Sequence, residues 1–181
     1  MEFIQAGDLD KIATPLDFLG VNYYARNIAR SNKINETENA PQTNFPRNEF
    51  TEMNWEVYPQ GLFQILERLH SDYDFPAFYI TENGAAFRDQ LSADGQVEDP
   101  DRLSYIERHL KKVLEAIING VPVWGYFVWS LLDNFEWGYG YSKRFGLIYV
   151  DFRTQQRTLK SSAKWYQKVI RENAISSPPM K

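Results

Sequence analysis

The chain has 181 residues, a mass of 21.2 kDa and a formal charge of 20 − 24 = −4. That length suits one domain, and an acidic, unclustered charge leaves no basic patch to drive binding to nucleic acid or an anionic membrane. With no Cys and only two distant His, His70 and His109, the sequence excludes a disulfide scaffold, a thiolate zinc site and a cysteine nucleophile. No apolar run is long enough to span a bilayer and no secretion signal opens the chain, so a cytoplasmic protein without metal or cofactor is expected.

Asp17 to Tyr24, DFLGVNYY, is apolar and β-prone and reads as a buried strand. Residues 25–56 are rich in Asn and Thr without a sustained period, which predicts a long loop, functional or floppy. The triplet Asn35-Glu36-Thr37 within it has the form of a glycosylation site and is taken as coincidental without a secretion signal. Leu62, Ile65, Leu66 and Leu69 recur at helical spacing, predicting a helix from Pro59 to Tyr73. Ala77 to Thr81 is a second strand with Glu82 at its end and Asn83-Gly84 breaking it. After a loop over 85–98, Asp99 and Pro100 give an N-cap and first helical residue. Leu103, Ile106, Leu110, Val113, Leu114 and Ile117 form the apolar stripe of that helix, and Gly120 ends it.

Val123 to Trp129 is a third strand, followed by a polar and aromatic loop from Ser130 to Arg144. Leu147–Phe152 and Arg157–Leu159 suggest a hairpin. Ser161 is placed as the cap of a last helix with Trp165, Val169 and Ile170 inward, and residues 174–181 form a loose tail. Strands linked by helices imply a parallel sheet with right-handed crossovers. Loops at the C-terminal strand ends are where such folds do chemistry.

Glu82 is the principal candidate there: a carboxylate closing a buried strand can serve as nucleophile, general base or metal ligand, or simply form an ion pair. Glu136 lies in Asp133-Asn134-Phe135-Glu136-Trp137, between Trp129 and Trp137. Aromatic rings beside amides and carboxylates suit a sugar, with its apolar C–H faces and rim of hydroxyls, although rings of this kind also build ordinary cores. Asn22 and Tyr24 are polar groups at the end of the first strand. His70 and His109 read as surface or packed helical residues.

YITENGAAF (Tyr79 to Phe87) and GYFVWSLLDNFEWGYGYSKRFGLIYVDF (Gly125 to Phe152) resemble signature segments of glycoside hydrolase family 1, the retaining β-glucosidases. LDFLGVNYY (Leu16 to Tyr24) and SSAKWYQKVI (Ser161 to Ile170) fit as well. The resemblance implies an α/β chain forming the C-terminal part, strands six to eight, of a (β/α)8 TIM barrel. It implies Glu82 as catalytic nucleophile, Tyr24 as its hydrogen-bond partner and Asn22 near the sugar 2-hydroxyl. It implies Trp129 beneath the sugar ring, Glu136 on the 4- and 6-hydroxyls, Trp137 beside it and Phe145 lining the pocket. The Glu136-Trp137 pair matches members that take unphosphorylated sugars. The family's acid/base Glu lies in an Asn-Glu-Pro motif that does not occur here; Asn48-Glu49-Phe50 is not a substitute. The expectation is therefore a C-terminal piece of a β-glucosidase, inactive alone, acting on a β-glucoside when joined by the N-terminal barrel segment and otherwise self-associating. The alternatives are a non-catalytic sugar-binding or structural module, or an unrelated α/β domain.

Overall fold

The computed structural model describes residues 3–28 and 49–175. The triplet Asn35-Glu36-Thr37, most of the loop assigned to 25–56 and the end of the tail lie outside the described residues. Three strands, β1 (Leu19–Asn22), β2 (Phe78–Asn83) and β3 (Val123–Val128), form one parallel sheet in the order β1-β2-β3. The helices α2 (Pro59–Asp72) and α3 (Pro100–Ile118) make the crossovers, and a hairpin, β4 (Ile148–Val150) with β5 (Arg157–Leu159), precedes α4 (Ser161–Glu172). A five-residue helix, α1 (Asp8–Ile12), opens the described chain and had no sequence signal. Among the described residues no helix is long and apolar enough to cross a membrane.

The helices cover one face of the sheet. Leu62 and Leu66 of α2, Val113 and Ala116 of α3, and Val21, Phe78 and Ile80 of the strands form one buried cluster. Tyr105 and Ile106 of α3 meet Trp165 and Val169 of α4 in a second cluster, with Tyr126 and Val128 of β3 against it. Each fully buried Leu or Ile in this layer contributes about 1.5–3 kcal/mol. The other face carries Tyr79, Phe127 and the ring of Phe18, which meets Tyr79 edge-on at 5.1 Å. A Cβ added to Gly125 would sit 2.5 Å from Tyr79, so a glycine is what lets that ring lie over β3. Phe18 and Phe127 are both more than half exposed.

Several expectations change in detail. The buried strand expected over Asp17–Tyr24 is four residues long, and within it only Val21 is buried. Alternate side chains of β1 point to the uncovered face, so an apolar, β-prone run is half exposed. Asp99 occupies the cap position of α3, but its carboxylate bonds Arg102 and Ser162 rather than its own helix end. Ser161 does not cap α4; it is its first residue, and its hydroxyl donates to Glu98. Ile170 faces out, as do Leu114 and Ile117 of the α3 stripe, because the apolar spacing spans a wider arc than the neighbouring elements cover. Residues 50–56, placed in the long loop, form a tight turn with an antiparallel bridge between Phe50 and Glu56.

Candidate active site

Tyr24 stands two residues beyond β1, and its hydroxyl donates to Glu82 Oε2 at 2.6 Å. Glu82 belongs to β2, in register with Asn22, and the Tyr23 N–H donates to the Glu82 carbonyl at 2.9 Å. The strand then leaves through Asn83 and Gly84. A Cβ on Gly84 would lie 1.7 Å from the Trp129 carbonyl oxygen, so the two strand ends can meet only with glycine there. The Trp129 N–H donates to Asn83 O at 2.9 Å, and this places the indole beside Glu82. The Trp129–Ser130 peptide is cis.

Beyond β3 the chain turns through a short 3-10 turn, Trp137–Tyr139, braced by Glu136 N–H donating to Gly140 O at 2.7 Å. Asn134 anchors the same loop by donating to Ser130 Oγ and Leu132 O. The loop returns along β3, where Ser130 N–H donates to Phe145 O and buries Phe145.

Tyr24, Glu82, Trp129, Glu136, Trp137 and Phe145 thus surround a single cleft of about 330 Å³, with Trp55 as a seventh wall. That size lies within the range of small-ligand pockets. Tyr24, Trp55 and Phe145 form an aromatic corner, with ring centres 5.4 Å apart for Tyr24–Trp55 and 6.3 Å for Tyr24–Phe145. Trp137 is 82% exposed and forms the rim. Asn22 is the one candidate that does not line the cleft: it is exposed, and its Oδ1 accepts from Thr81 Oγ at 2.6 Å. A larger cleft of about 450 Å³ lies against Tyr58 and α3, but its cations Arg108, Lys111 and Lys112 are paired with Glu49, Glu107 and Glu115.

The two carboxylates of the cleft sit in different settings. Burial, then the charge of Glu82, raises the Glu136 carboxyl above the usual carboxylate range. Glu82 accepts the Tyr24 phenol. In turn, burial followed by the bond and charge of Glu82 lifts the phenol far above its ordinary range, so Tyr24 remains a donor.

Two features escaped the sequence. Trp55 belongs to the segment assigned to a loop, although an aromatic between Asn54 and Glu56 carries the same polar-aromatic signal as Trp137. The second is a buried charge cluster under the loops. Arg102 donates to Asp89 and Asp99, Lys160 donates to Asp89 at 2.6 Å and Asp133 at 2.8 Å, and Arg144 donates to Asp133 at 2.5 Å. Three Asp against Arg102, Arg144 and Lys160 sum to zero charge. Asp133 also accepts the backbone N–H of Gly146 and Val150, so it joins the loop bearing Glu136 to β4. Burial, then the neighbouring Arg102, lowers the Lys160 pKa, while Asp89 and Asp133 oppose that shift.

A sequence profile of glycosyl hydrolase family 1 matches residues 1–175. β-Glucosidase A of Thermotoga maritima is 44% identical over 170 residues, which are 93% of this chain and 37% of that protein. β-Glucosidase A of Acetivibrio thermocellus is 41% identical over 93% of this chain and 38% of its own length. A 6-phospho-β-galactosidase of Clostridium acetobutylicum is 36% identical over 95% of this chain and 40% of its own. The crystal structure of the Thermotoga maritima β-glucosidase with noeuromycin superposes with a TM-score of 0.84 at 43% identity, covering 93% of this chain and 38% of that one. The chain therefore spans less than half the length of the relatives it matches, and its sheet corresponds to part of their barrel.

Proposed function

The chain belongs to glycosyl hydrolase family 1, and from that premise we propose that it carries the nucleophile half of a retaining β-glucosidase site. The observation that carries the proposal is the Tyr24–Glu82 hydrogen bond of 2.6 Å inside a cleft walled by aromatics and a second carboxylate. In this account Glu82 attacks the anomeric carbon and forms the glycosyl-enzyme, while Tyr24 holds the carboxylate aimed. Trp129 offers its face to the sugar ring. Glu136 accepts hydroxyls at the far end of the sugar, with Trp137 beside it, and Asn22 belongs to the 2-hydroxyl side.

β-Glucosides are the proposed substrates. A carboxylate at the position of Glu136 would repel a 6-phosphate, which disfavours the phosphorylated sugars named for one relative. Retention needs a second carboxyl about 5–5.5 Å from the nucleophile to protonate the leaving group. Glu136 is assigned to the sugar hydroxyls, and no Asn-Glu-Pro occurs in the 181 residues. The acid/base group is therefore proposed to come from the N-terminal part of a family barrel, on a separate segment. The uncovered sheet face with Phe18 and Phe127 supports such a partner, as do β1 and β3, each of which pairs only with β2 among the described residues.

The test is stereochemical. The assembled barrel should release β-glucose as the first product from an aryl β-glucoside, and Glu82→Gln should abolish that release. An α-configured first product would contradict retention.

A further inference from the structure

We propose that Tyr105, on α3 and outside the cleft, is a positioning residue for this reaction: its hydroxyl fixes the backbone of Tyr24 and thereby the phenol that aims Glu82. The proposal rests on Glu82 being the nucleophile.

Tyr23 and Tyr24 have left the β1 ladder, so their carbonyls need other partners. Asn83 supplies one: fully buried next to Glu82, its amide donates to Tyr23 O at 2.7 Å and to Tyr105 Oη at 3.1 Å. Tyr105 supplies the other, its hydroxyl donating to Tyr24 O at 3.0 Å. Both hydrogen-bonding capacities of a fully buried phenol are therefore used, on the residue after the nucleophile and on the nucleophile's own partner. A core position asking only for packing would take Phe, because a buried hydroxyl is costly unless bonded.

Tyr105 is itself fixed. The His109 ring stacks on it at 4.0 Å, and His109 Nδ1 lies 2.7 Å from Tyr105 O. That contact puts the proton on Nδ1, and His109 Nε2 is buried without a partner. The path from α3 to the cleft is thus contiguous, from His109 to Tyr105, to the Tyr24 backbone, to the Tyr24 phenol, to Glu82. Trp55 and Phe145 flank the Tyr24 ring. They pack its sides, while the Tyr105 hydroxyl holds the backbone from which the ring springs.

The charged and titratable groups facing Glu82 are Tyr24 from the β1 side and Glu136 from the loop after β3. A loosened Tyr24 no longer holds the Glu82 carboxylate in line with the anomeric carbon, so the loss should fall on kcat. In the assembled barrel Tyr105→Phe should lower kcat about tenfold, the size of one hydrogen bond, with KM changed less. In a Tyr24→Phe background the same change should cost little, because its route is already cut. Tyr126→Phe is the comparison: it removes the 2.5 Å bond to Asn83 Oδ1 without touching Tyr24, and should lower stability while leaving kcat in place. His109→Gln frees the Tyr105 ring but keeps its hydroxyl, and should lower kcat the same way by less. This variant tests the role even where Tyr105→Phe assembles poorly. An unchanged kcat in the variants that assemble, or full additivity with Tyr24→Phe, would overturn the positioning role. Turnover retained in Glu82→Gln would instead remove the nucleophile assignment, a separate result.

Discussion

The two faces of the sheet are built to different standards. The helix-covered face is closed by side chains of its own chain: Leu62, Leu66, Phe78, Ile80 and Ala116 have essentially no exposure. The uncovered face, made from alternate residues of the same strands, ends in rings more than half exposed at Phe18 and Phe127. The contrast teaches that local sequence finishes only the layer whose partners lie within the chain. The other face is left uncovered by the described residues, and the cleft sits where the two meet, at the C-terminal strand ends.

The largest expected effect is chemical. Glu82→Gln in the assembled barrel should lower kcat by several orders of magnitude while the fold of both faces is kept, since covalent catalysis is lost outright. Steady-state kinetics with an aryl glucoside checks it.

Next are two substitutions that set the faces against each other. Leu66→Ala on the covered face should cost about 2–5 kcal/mol in denaturant unfolding. Phe127→Ser on the uncovered face should cost the isolated chain under about 1 kcal/mol and reduce self-association seen in sedimentation. Equal costs at both positions would break the comparison.

The buried cluster belongs to the covered side yet serves the cleft. Lys160→Met leaves Asp89 and Asp133 one cation short and should destabilise by about 3–5 kcal/mol. It should also loosen the loop carrying Glu136, read as faster amide exchange over 133–146. Glu136→Ala should lower kcat/KM for glucosides by a few kcal/mol, as for a charged hydrogen bond. Its effect should be smaller on a sugar lacking the 6-hydroxymethyl group; equal losses would make the role structural.

The smallest effect is acid sensitivity. Burial pushes His109 down to about 4, below the ordinary 6.5. The unfolded chain therefore binds more protons between those values, and stability falls as pH drops from 6.5 toward 4. Melting curves across that window should lose this slope in His109→Gln, apart from carboxylate contributions.

Much of this was legible beforehand, for identifiable reasons. The helices were written in 3.6-residue spacing, and Glu82, Trp129 and Glu136 lay beside strand ends that apolar runs made plain. Burial was less legible: β1 and the Leu114–Ile117 edge of α3 are apolar without being covered, because periodicity marks a face but not its partner. The charge cluster was illegible for a different reason. Asp89, Arg102, Asp133, Arg144 and Lys160 lie up to 71 positions apart and look like ordinary solvated charges until the fold gathers them. Trp55 was hidden by a polar neighbourhood that suggested only a loop.

The most direct measurement is complementation. The 181-residue chain is mixed with the N-terminal segment of a family barrel, such as that of the Thermotoga maritima β-glucosidase, and aryl β-glucoside hydrolysis is followed beside each part alone. Turnover is expected in the mixture and none above background in either part. Efficient turnover by the chain alone would contradict it, because some carboxyl within these residues would then be supplying the proton.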